Sequence, residues 1–392
     1  MDKVRLGDIA TLINGDRGKN YPSQADITDE GDIPFVNAGH LNGRGIDFEE
    51  MNYISQEKYD CLSSGKFIKG DVLYCLRGSL GKKAIVNDDV KGAIASSLVI
   101  IRPDYNRIDG DYLMFSLDSP SIKEQLIKAN NGSSQPNLSA ASVREYQIEL
   151  PDMQIQKAVV EKLAKVREAI DNRQCELDLL DLLIKARFVE LFGDPVLNEK
   201  GWETRPFLDM GSCKNGMNFH YDDSGVELNC LGVGDFKDYS VITNTELLPT
   251  VSLNEIPSEE YLLRDDDIVF VRSNGNKALV GRSVAVYPGN TPTTFSGFCI
   301  RYRKHDDGIT IPYLLRVLKA DSIRKKMVGR GANIQNLNQQ ILGTLIIPVP
   351  PLDLQKQFAD FVEQVDKSKV AVQKALKKDQ LLFDSLMQEY FG

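Results

Sequence analysis

The hydrophobic positions of this chain fall into two textures. Short β-branched or aromatic runs bounded by Gly, Asp and Pro predict strands at 33–36, 72–76, 98–101 and 146–150. Helical spacing appears at 112–117 and 121–129, the second opened by Ser119-Pro120, an N-cap residue with proline just inside. Residues 152–192 then contain neither proline nor glycine. Apolar side chains recur there at spacings of four and three, as Val159, Leu163, Val166, Ile170, Leu177, Leu180 and Ile184, interrupted at Arg173 and Arg187. That heptad spacing predicts one long helix with a coiled-coil seam. At 1.5 Å per residue it is roughly 60 Å long, too long to fold back into a compact domain. A second long helix is predicted over 354–390, after Pro350-Pro351. Its seam is Phe358, Val362, Val365, Val372, Leu376 and Phe383, interrupted at Lys369 and Asp379.

The whole pattern occurs twice. Asn137 and Asn336 lie 199 positions apart, and the same shift carries Pro151 onto Pro350, Gln156 onto Gln355, Lys157 onto Lys356 and Phe192 onto Phe391. Upstream the copy continues with small insertions, 70–79 answering to 266–274, and strands are predicted at 227–231, 268–272, 283–287, 298–302 and 345–349. The period far exceeds the roughly 20–50 residues of a solenoid repeat. The expected fold class is α+β (mixed α/β), with domains at 1–151 and 203–350, long helices at 152–193 and 351–392, and a connector at 194–202. Two amphipathic helices of equal length are expected to bury their seams on each other. Antiparallel pairing would relate the modules by a pseudo-two-fold axis; exchange of helices between two chains is the other arrangement.

Composition narrows the class. With 392 residues, 42% of them hydrophobic, each half is long enough to bury its own core. The longest apolar runs, such as 342–349, fall short of the roughly 20 residues that span a bilayer. The N-terminus carries no apolar signal core, so a cytoplasmic protein without membrane association is expected. Cys61, Cys75, Cys175, Cys213, Cys230 and Cys299 are scattered, without metal-ligand spacing. The formal charge of −9 weighs little against a nucleic-acid partner, because phosphate binding depends on local basic surface.

Catalytic motifs are sparse. Gly78-Ser79-Leu80-Gly81-Lys82-Lys83 lacks the spacing and hydroxyl of a P-loop. The Gly-x-Gly of 232–234 has no third, helix-opening glycine, and Pro348-Val349-Pro350-Pro351 lacks the leading amide and the aromatic of an amino-methyltransferase loop. His40, His220 and His305 have no ligand-pair spacing, so no metal site and no catalytic residue is assigned. Asp265-Asp266-Asp267 aligns with Lys69-Gly70-Asp71 and reads as a solvated turn before a strand.

The polar positions that stand out lie in loops at corresponding places of the two copies. Arg77, Ser79, Lys82 and Lys83 follow one strand; Arg272, Asn274, Asn276 and Lys277 follow its counterpart. Arg and Lys beside small residues suit phosphate oxygens, though an ordinary hairpin loop has the same composition. Two amide-rich segments, with Ser133 and Gln135 in one and Arg330, Asn333 and Gln335 in the other, suit adenine edges or else cap the next segment of chain. Asn37, His40, Asn42 and Arg44 share a place in the repeat with Asp235 and Lys237 but differ in chemistry. Like scaffolds with unlike loops are what two different readers need.

Over essentially its whole length the chain resembles the specificity subunit of Type I restriction-modification enzymes. The resemblance rests on Val4-Arg5-Leu6-Gly7-Asp8-Ile9, on Gly70-Asp71-Val72-Leu73 with Arg77-Gly78-Ser79 and Gly81-Lys82, on Gln135-Pro136-Asn137-Leu138, and on Leu150-Pro151 with Gln156-Lys157 leading to Leu191-Phe192-Gly193-Asp194-Pro195. It implies two target recognition domains, each reading half of a split double-stranded DNA sequence, and an antiparallel coiled coil that sets the spacer. Half-sites read from one face of B-DNA lie about 34 Å apart. It implies a non-catalytic subunit without a cofactor of its own. Two methyltransferase subunits using S-adenosylmethionine, and restriction/translocase subunits using ATP and Mg, would be the partners. A stand-alone DNA-modifying enzyme and a coiled-coil scaffold that never touches DNA are the alternatives.

Overall fold

The computed structural model describes residues 3–130, 137–219, 224–236, 240–328 and 336–392. It divides into two compact units, Met1–Gln174 with Lys374–Gly392, and Cys175–Gln373. Neither follows a single domain-plus-helix segment: each holds one mixed α/β module, the part of that module's own long helix nearest to it, and part of the other long helix.

In the first unit an antiparallel sheet runs in the order Ala10–Asn14, Leu98–Pro103, Val72–Cys75, Lys83–Ile85. Strand Val72–Cys75 is buried throughout, and successive side chains serve different cores, as the period of two requires. Val72 and Tyr74 join Leu6, Tyr112 and the long helices, whereas Leu73 and Cys75 join Val36, Phe67 and Ile94 of a second small sheet. The second unit repeats the plan with five strands, Gly211–Asn215, Cys299–Lys304, Asp267–Val271, Ser283–Val286 and Val241–Ile242. Each module is closed where it begins and ends: Lys3–Arg5 pairs with Gln147–Glu149, and Thr204–Pro206 with Ile346–Pro348. The strand expected from 298 starts at Cys299, and Phe298 lies exposed in the preceding turn.

Asp265 and Asp266 form the exposed turn expected before strand Asp267–Val271, but the third aspartate of the triplet is withdrawn from solvent. Asp267 is fully buried, with Arg303 donating to both its oxygens at 2.8 and 2.7 Å and the Arg264 amide adding a third bond. Asp71 is held identically by Arg102, at 2.8 Å on each oxygen, and by the Ile68 amide. A carboxylate leaves water only when paired and hydrogen-bonded in this way. Asp266 is exposed, and its φ of +70° occupies the left-handed place that Gly70 fills with +89°.

The long helices are Met153–Phe192 and Leu352–Phe391. Within each unit they pair antiparallel and within one chain, so exchange of helices with a second chain is not the arrangement seen. In the first unit Lys162 meets the Tyr390 hydroxyl at 3.1 Å and Arg173 forms an ion pair with Asp379. The two seam interruptions, Arg173 and Asp379, thus answer each other. In the second unit Lys369 pairs with Asp181, and the Phe188 and Phe358 rings lie 5.6 Å apart. Of the seam positions, Val159, Leu163, Ile184, Phe358, Val365, Val372 and Phe383 are buried, and Val166, Ile170, Leu177, Leu180, Val362 and Leu376 are half-buried. Phe188, Phe192, Met387 and Phe391, absent from the predicted seam, are buried with them.

A buried glutamine ties each helix to its module. Gln156 accepts from the Asp109 amide at 2.8 Å and donates to the Arg107 and Pro151 carbonyls at 3.0 and 2.8 Å. Gln355 does the same with the Thr310 amide and the Gly308 and Pro350 carbonyls, at 2.8, 2.9 and 2.8 Å. Both are fully buried. Gln355→Leu orphans three main-chain groups and is expected to cost roughly 3 kcal/mol or more. A lowered urea midpoint at unchanged slope is the expected result, and an unchanged midpoint contradicts the clamp.

Candidate nucleic-acid interface

Main-chain hydrogen bonds align the two copies residue by residue. Gly81 donates to Cys75 as Gly281 does to Val271; the Leu76 amide donates to Ser97 as the Arg272 amide does to Phe298; the Leu76 and Arg272 carbonyls accept from Leu138 and Leu337. Arg272 therefore stands where the first copy has the buried Leu76, and Arg77 is answered by Ser273. In extended chain an offset of one residue turns the side chain to the other face. The two arginines, similar in the sequence, are not equivalents.

Arg77 is exposed, with its Nε 3.3 Å from the Asn137 Oδ1, and Ser79 is exposed on the turn opened by Gly78 (φ +83°). Lys82 is half-buried and reaches the Gly39 carbonyl at 3.4 Å. Lys83 does not belong to this surface. It is 3% exposed and forms an ion pair with Asp118, and its burial pushes the ammonium pKa down. Two residues past the turn at Gly81, it begins strand Lys83–Ile85 facing inward.

In the second copy the loop between the equivalent glycine contacts is longer. Arg272 is half-buried and donates from Nη1 to the Gly297 carbonyl at 3.2 Å. Asn274 Oδ1 accepts the Asn276 amide, and Asn276 Oδ1 the Ala278 amide, at 2.8 and 3.0 Å, so both side chains shape the loop. Lys277 opens the short turn Lys277–Leu279. Ser133, Gln135, Lys237, Arg330, Asn333 and Gln335 lie outside the described residues, as does His220.

His40 and Asp235 turn out to be the same device made from different residues. The His40 Nδ1 accepts the Asn37 amide at 3.1 Å, while its Nε2–H donates to the Glu50 carbonyl at 3.1 Å. Asp235 Oδ2 accepts the Gly232 amide at 2.8 Å. Each staples the start of a one-turn helix, Ala38–His40 and Val233–Asp235. His40 is 8% exposed with both ring nitrogens engaged, and burial lowers its pKa. Asn37 Oδ1 caps the same turn through the Gly39 amide, and Asn42 Oδ1 accepts from the Arg44 and Gly45 amides. The exposed Arg44 forms an ion pair with Asp171 of the long helix. In this group the side chains position the loop.

A cleft between module and long helix is also duplicated, at about 360 Å³ in the first unit and about 590 Å³ in the second. Strand registers and helix alignment make Lys83, Asp118 and Arg167 the counterparts of Ser283, Lys319 and Asp366. The charge reverses at two of the three positions, Asp118 to Lys319 and Arg167 to Asp366, and Lys83 is answered by the neutral Ser283. Lys319 donates to Ser240 Oγ at 2.7 Å, and burial, with Arg316 adding to it, brings its pKa down to about 8. Burial raises the carboxyl of Asp366. Among the described residues no group of three or more His, Cys, Asp and Glu side chains is placed to hold a metal.

A duplicated module with closed frames, exposed cationic and polar loops, and helices that pair in antiparallel is the architecture of a two-part DNA specificity protein. The family model of the Type I restriction modification DNA specificity domain matches residues 1–179 and 199–381, and the chain belongs to that family. The Type I restriction enzyme StySPI specificity subunit of Salmonella potsdam is 23% identical over 418 residues, spanning 98% of this chain and 87% of the relative. The MjaVIII specificity subunit of Methanocaldococcus jannaschii is 22% identical over 406 residues, spanning 96% and 90%. Among solved structures, the S subunit of the Type I restriction-modification system from M. genitalium superposes with a TM-score of 0.56 at 16% identity, covering 100% of this chain and 96% of that one. A chain from a study of complex assembly and conformational transition of the type I R-M system reaches 0.60 at 18%, covering 100% and 97%.

Because the folded-state pKa of Lys319 is depressed, the unfolded chain binds more protons between about pH 8 and the ordinary lysine value. Stability from this residue is therefore lowest below pH 8 and rises as pH climbs above it. Lys319→Met is expected to raise the melting temperature at pH 7, by a margin that shrinks toward pH 10. Thermal denaturation across that range checks it, and a margin independent of pH contradicts it.

Proposed function

We propose that each unit of this specificity subunit reads one half of a bipartite double-stranded DNA target, and that the paired helices set the unread spacer between the halves. The observation that carries this reading is the combination of like frames with unlike loops. The buried pairs Asp71–Arg102 and Asp267–Arg303 and the clamps Gln156 and Gln355 repeat, whereas Arg77 is answered by Ser273 and Leu76 by Arg272. One frame bearing two loop chemistries recognises two sequences. Exposed Arg77 contacts phosphate and fixes register, a role that carries no sequence information by itself; Lys82 and Ser79 border it.

On this reading the chain has no catalytic role and works in the cytoplasm. Two methyltransferase subunits bring S-adenosylmethionine, and restriction/translocase subunits bring ATP and Mg. Their docking surface is motivated by apolar residues that the helix pairs leave exposed. Leu179, Leu182 and Leu183 stand at 57%, 57% and 46% exposure, and Leu381 and Leu382, the 199-shift counterparts of Leu182 and Leu183, at 61% and 49%. Repeated exposed leucines on both helices suit two copies of one apolar partner.

Co-expression with the cognate methyltransferase subunit, followed by sequencing that reads adenine methylation, is expected to show a single bipartite motif with an unspecified spacer. Exchanging residues 1–151 is expected to change only one half of it. No methylation while the partner is bound and active contradicts the reading. Leu182→Glu with Leu381→Glu alters exposed positions and is expected to leave the melting temperature within about 2 °C while abolishing co-purification of the methyltransferase subunit. Undiminished co-purification places the docking surface elsewhere.

A further inference from the structure

Phe298 is a large aromatic side chain that the fold holds out to solvent. The residue is 62% exposed, yet its backbone is fastened on every side. The Phe298 amide donates to Ser296 Oγ at 3.3 Å, and its carbonyl accepts from the Arg272 and Ser273 amides at 2.8 and 3.3 Å. The preceding Gly297 donates to the Met217 carbonyl at 2.6 Å and accepts from Arg272 Nη1 at 3.2 Å. Beneath this turn Gly216 approaches so closely that a Cβ there would lie 2.1 Å from the Ser296 carbonyl oxygen. The backbone of the turn is held, so the ring projects from one place on the rim.

The neighbours on this rim belong to the loop that starts at Arg272. Arg272 lies directly against the turn, and Ser273 bridges to Asn336. In the first unit the equivalent position is Ser97, half-buried, so the aromatic belongs to one unit only. An exposed ring on a held turn, next to the residue whose carbonyl accepts from Arg272, suits insertion between stacked bases. Proteins that kink DNA use apolar wedges of this kind, and base–aromatic stacking tolerates any base while favouring steps that unstack easily.

Resting on the DNA-reading role of the second unit, we propose that Phe298 is an aromatic wedge that enters a base step in the half-site that this unit reads. Arg272 at its side takes a neighbouring phosphate. The wedge adds affinity and shape-dependent selectivity to that half-site alone.

The test uses the complex of the full chain with its methyltransferase subunits and a duplex carrying the motif found by methylation sequencing. Phe298→Ala is expected to weaken cognate binding about ten-fold or more without changing its dependence on salt; Phe298→Trp keeps it. Arg272→Ala is expected to reduce the salt slope by about one. With 2-aminopurine beside each step of the half-site, the methylated adenine excluded, fluorescence is expected to rise at one step with the wild type and not with Phe298→Ala. If the wild-type complex fails to prefer its motif, the DNA-reading role itself falls. If the preference holds and Phe298→Ala binds as wild type, the wedge alone is wrong. Loss of affinity matched by replacing thymine with deoxyuridine, with no rise at any step, also overturns the wedge and makes the contact one to a thymine methyl.

Discussion

A helix of forty residues cannot bury its own apolar stripe, and both units of this protein are organised by that constraint. Each module supplies part of the cover and the opposing helix supplies the rest. In the first unit Val159 and Leu163 share a core with Phe383, Met387 and Phe391 and with Leu6 and Tyr112 of the module. In the second, Ile184, Phe188 and Phe192 share one with Phe358, Val365 and Tyr313. The end of each helix thus completes the unit to which the other helix belongs, with Phe391 against Tyr112 and Phe192 against Tyr313 at 5.1 and 4.7 Å between ring centres. Gln156 and Gln355 then turn contact into fixed direction, since their amides have one geometry that satisfies all three main-chain partners.

The duplication separates what must repeat from what is able to change. Buried ionic and polar groups repeat as residues: Asp71 with Arg102, Asp267 with Arg303, and the two glutamines. Removing the arginine strands a fully buried carboxylate without its partner, which makes such pairs hard to alter singly. Where the requirement is only an acceptor for one amide, the residue is free to differ, and His40 in one copy is replaced by Asp235 in the other. The clefts show a third case, in which the sign of the charge reverses at two places, Asp118 against Lys319 and Arg167 against Asp366, while the cation Lys83 gives way to the neutral Ser283.

Much of the candidate interface was legible as loops and little of it as side chains. Gly78 and Gly81, in the left-handed region, marked a turn after a strand, and the turn is there. The sequence did not say which cations face out. Arg77 and Lys83 look alike as letters, but one follows a buried strand end into solvent and the other opens the next strand pointing inward. His40 is polar and stands in a loop, the profile of a reader, yet its two nitrogens are consumed by neighbouring main chain. Phe298 carried the opposite signal, an aromatic at a strand boundary that periodicity assigns to the core.

Letters and their spacing were enough to establish that the chain is two copies of one module, that each ends in a long helix, and that those helices carry matched apolar seams. Period and duplication survive without coordinates because they are properties of spacing along the chain. Spacing left open whether the helices pair within one chain or exchange between two; the intrachain contacts of Arg173 with Asp379 and of Lys369 with Asp181 emerged only on folding. So did the burial of Asp267, the match of Arg272 to Leu76 and not to Arg77, and the withdrawal of Lys83. Burial and pairing depend on neighbours that lie far apart in sequence. A local pattern states that a charge or a ring is present, and only the packing around it states whether that group meets water, a partner or DNA.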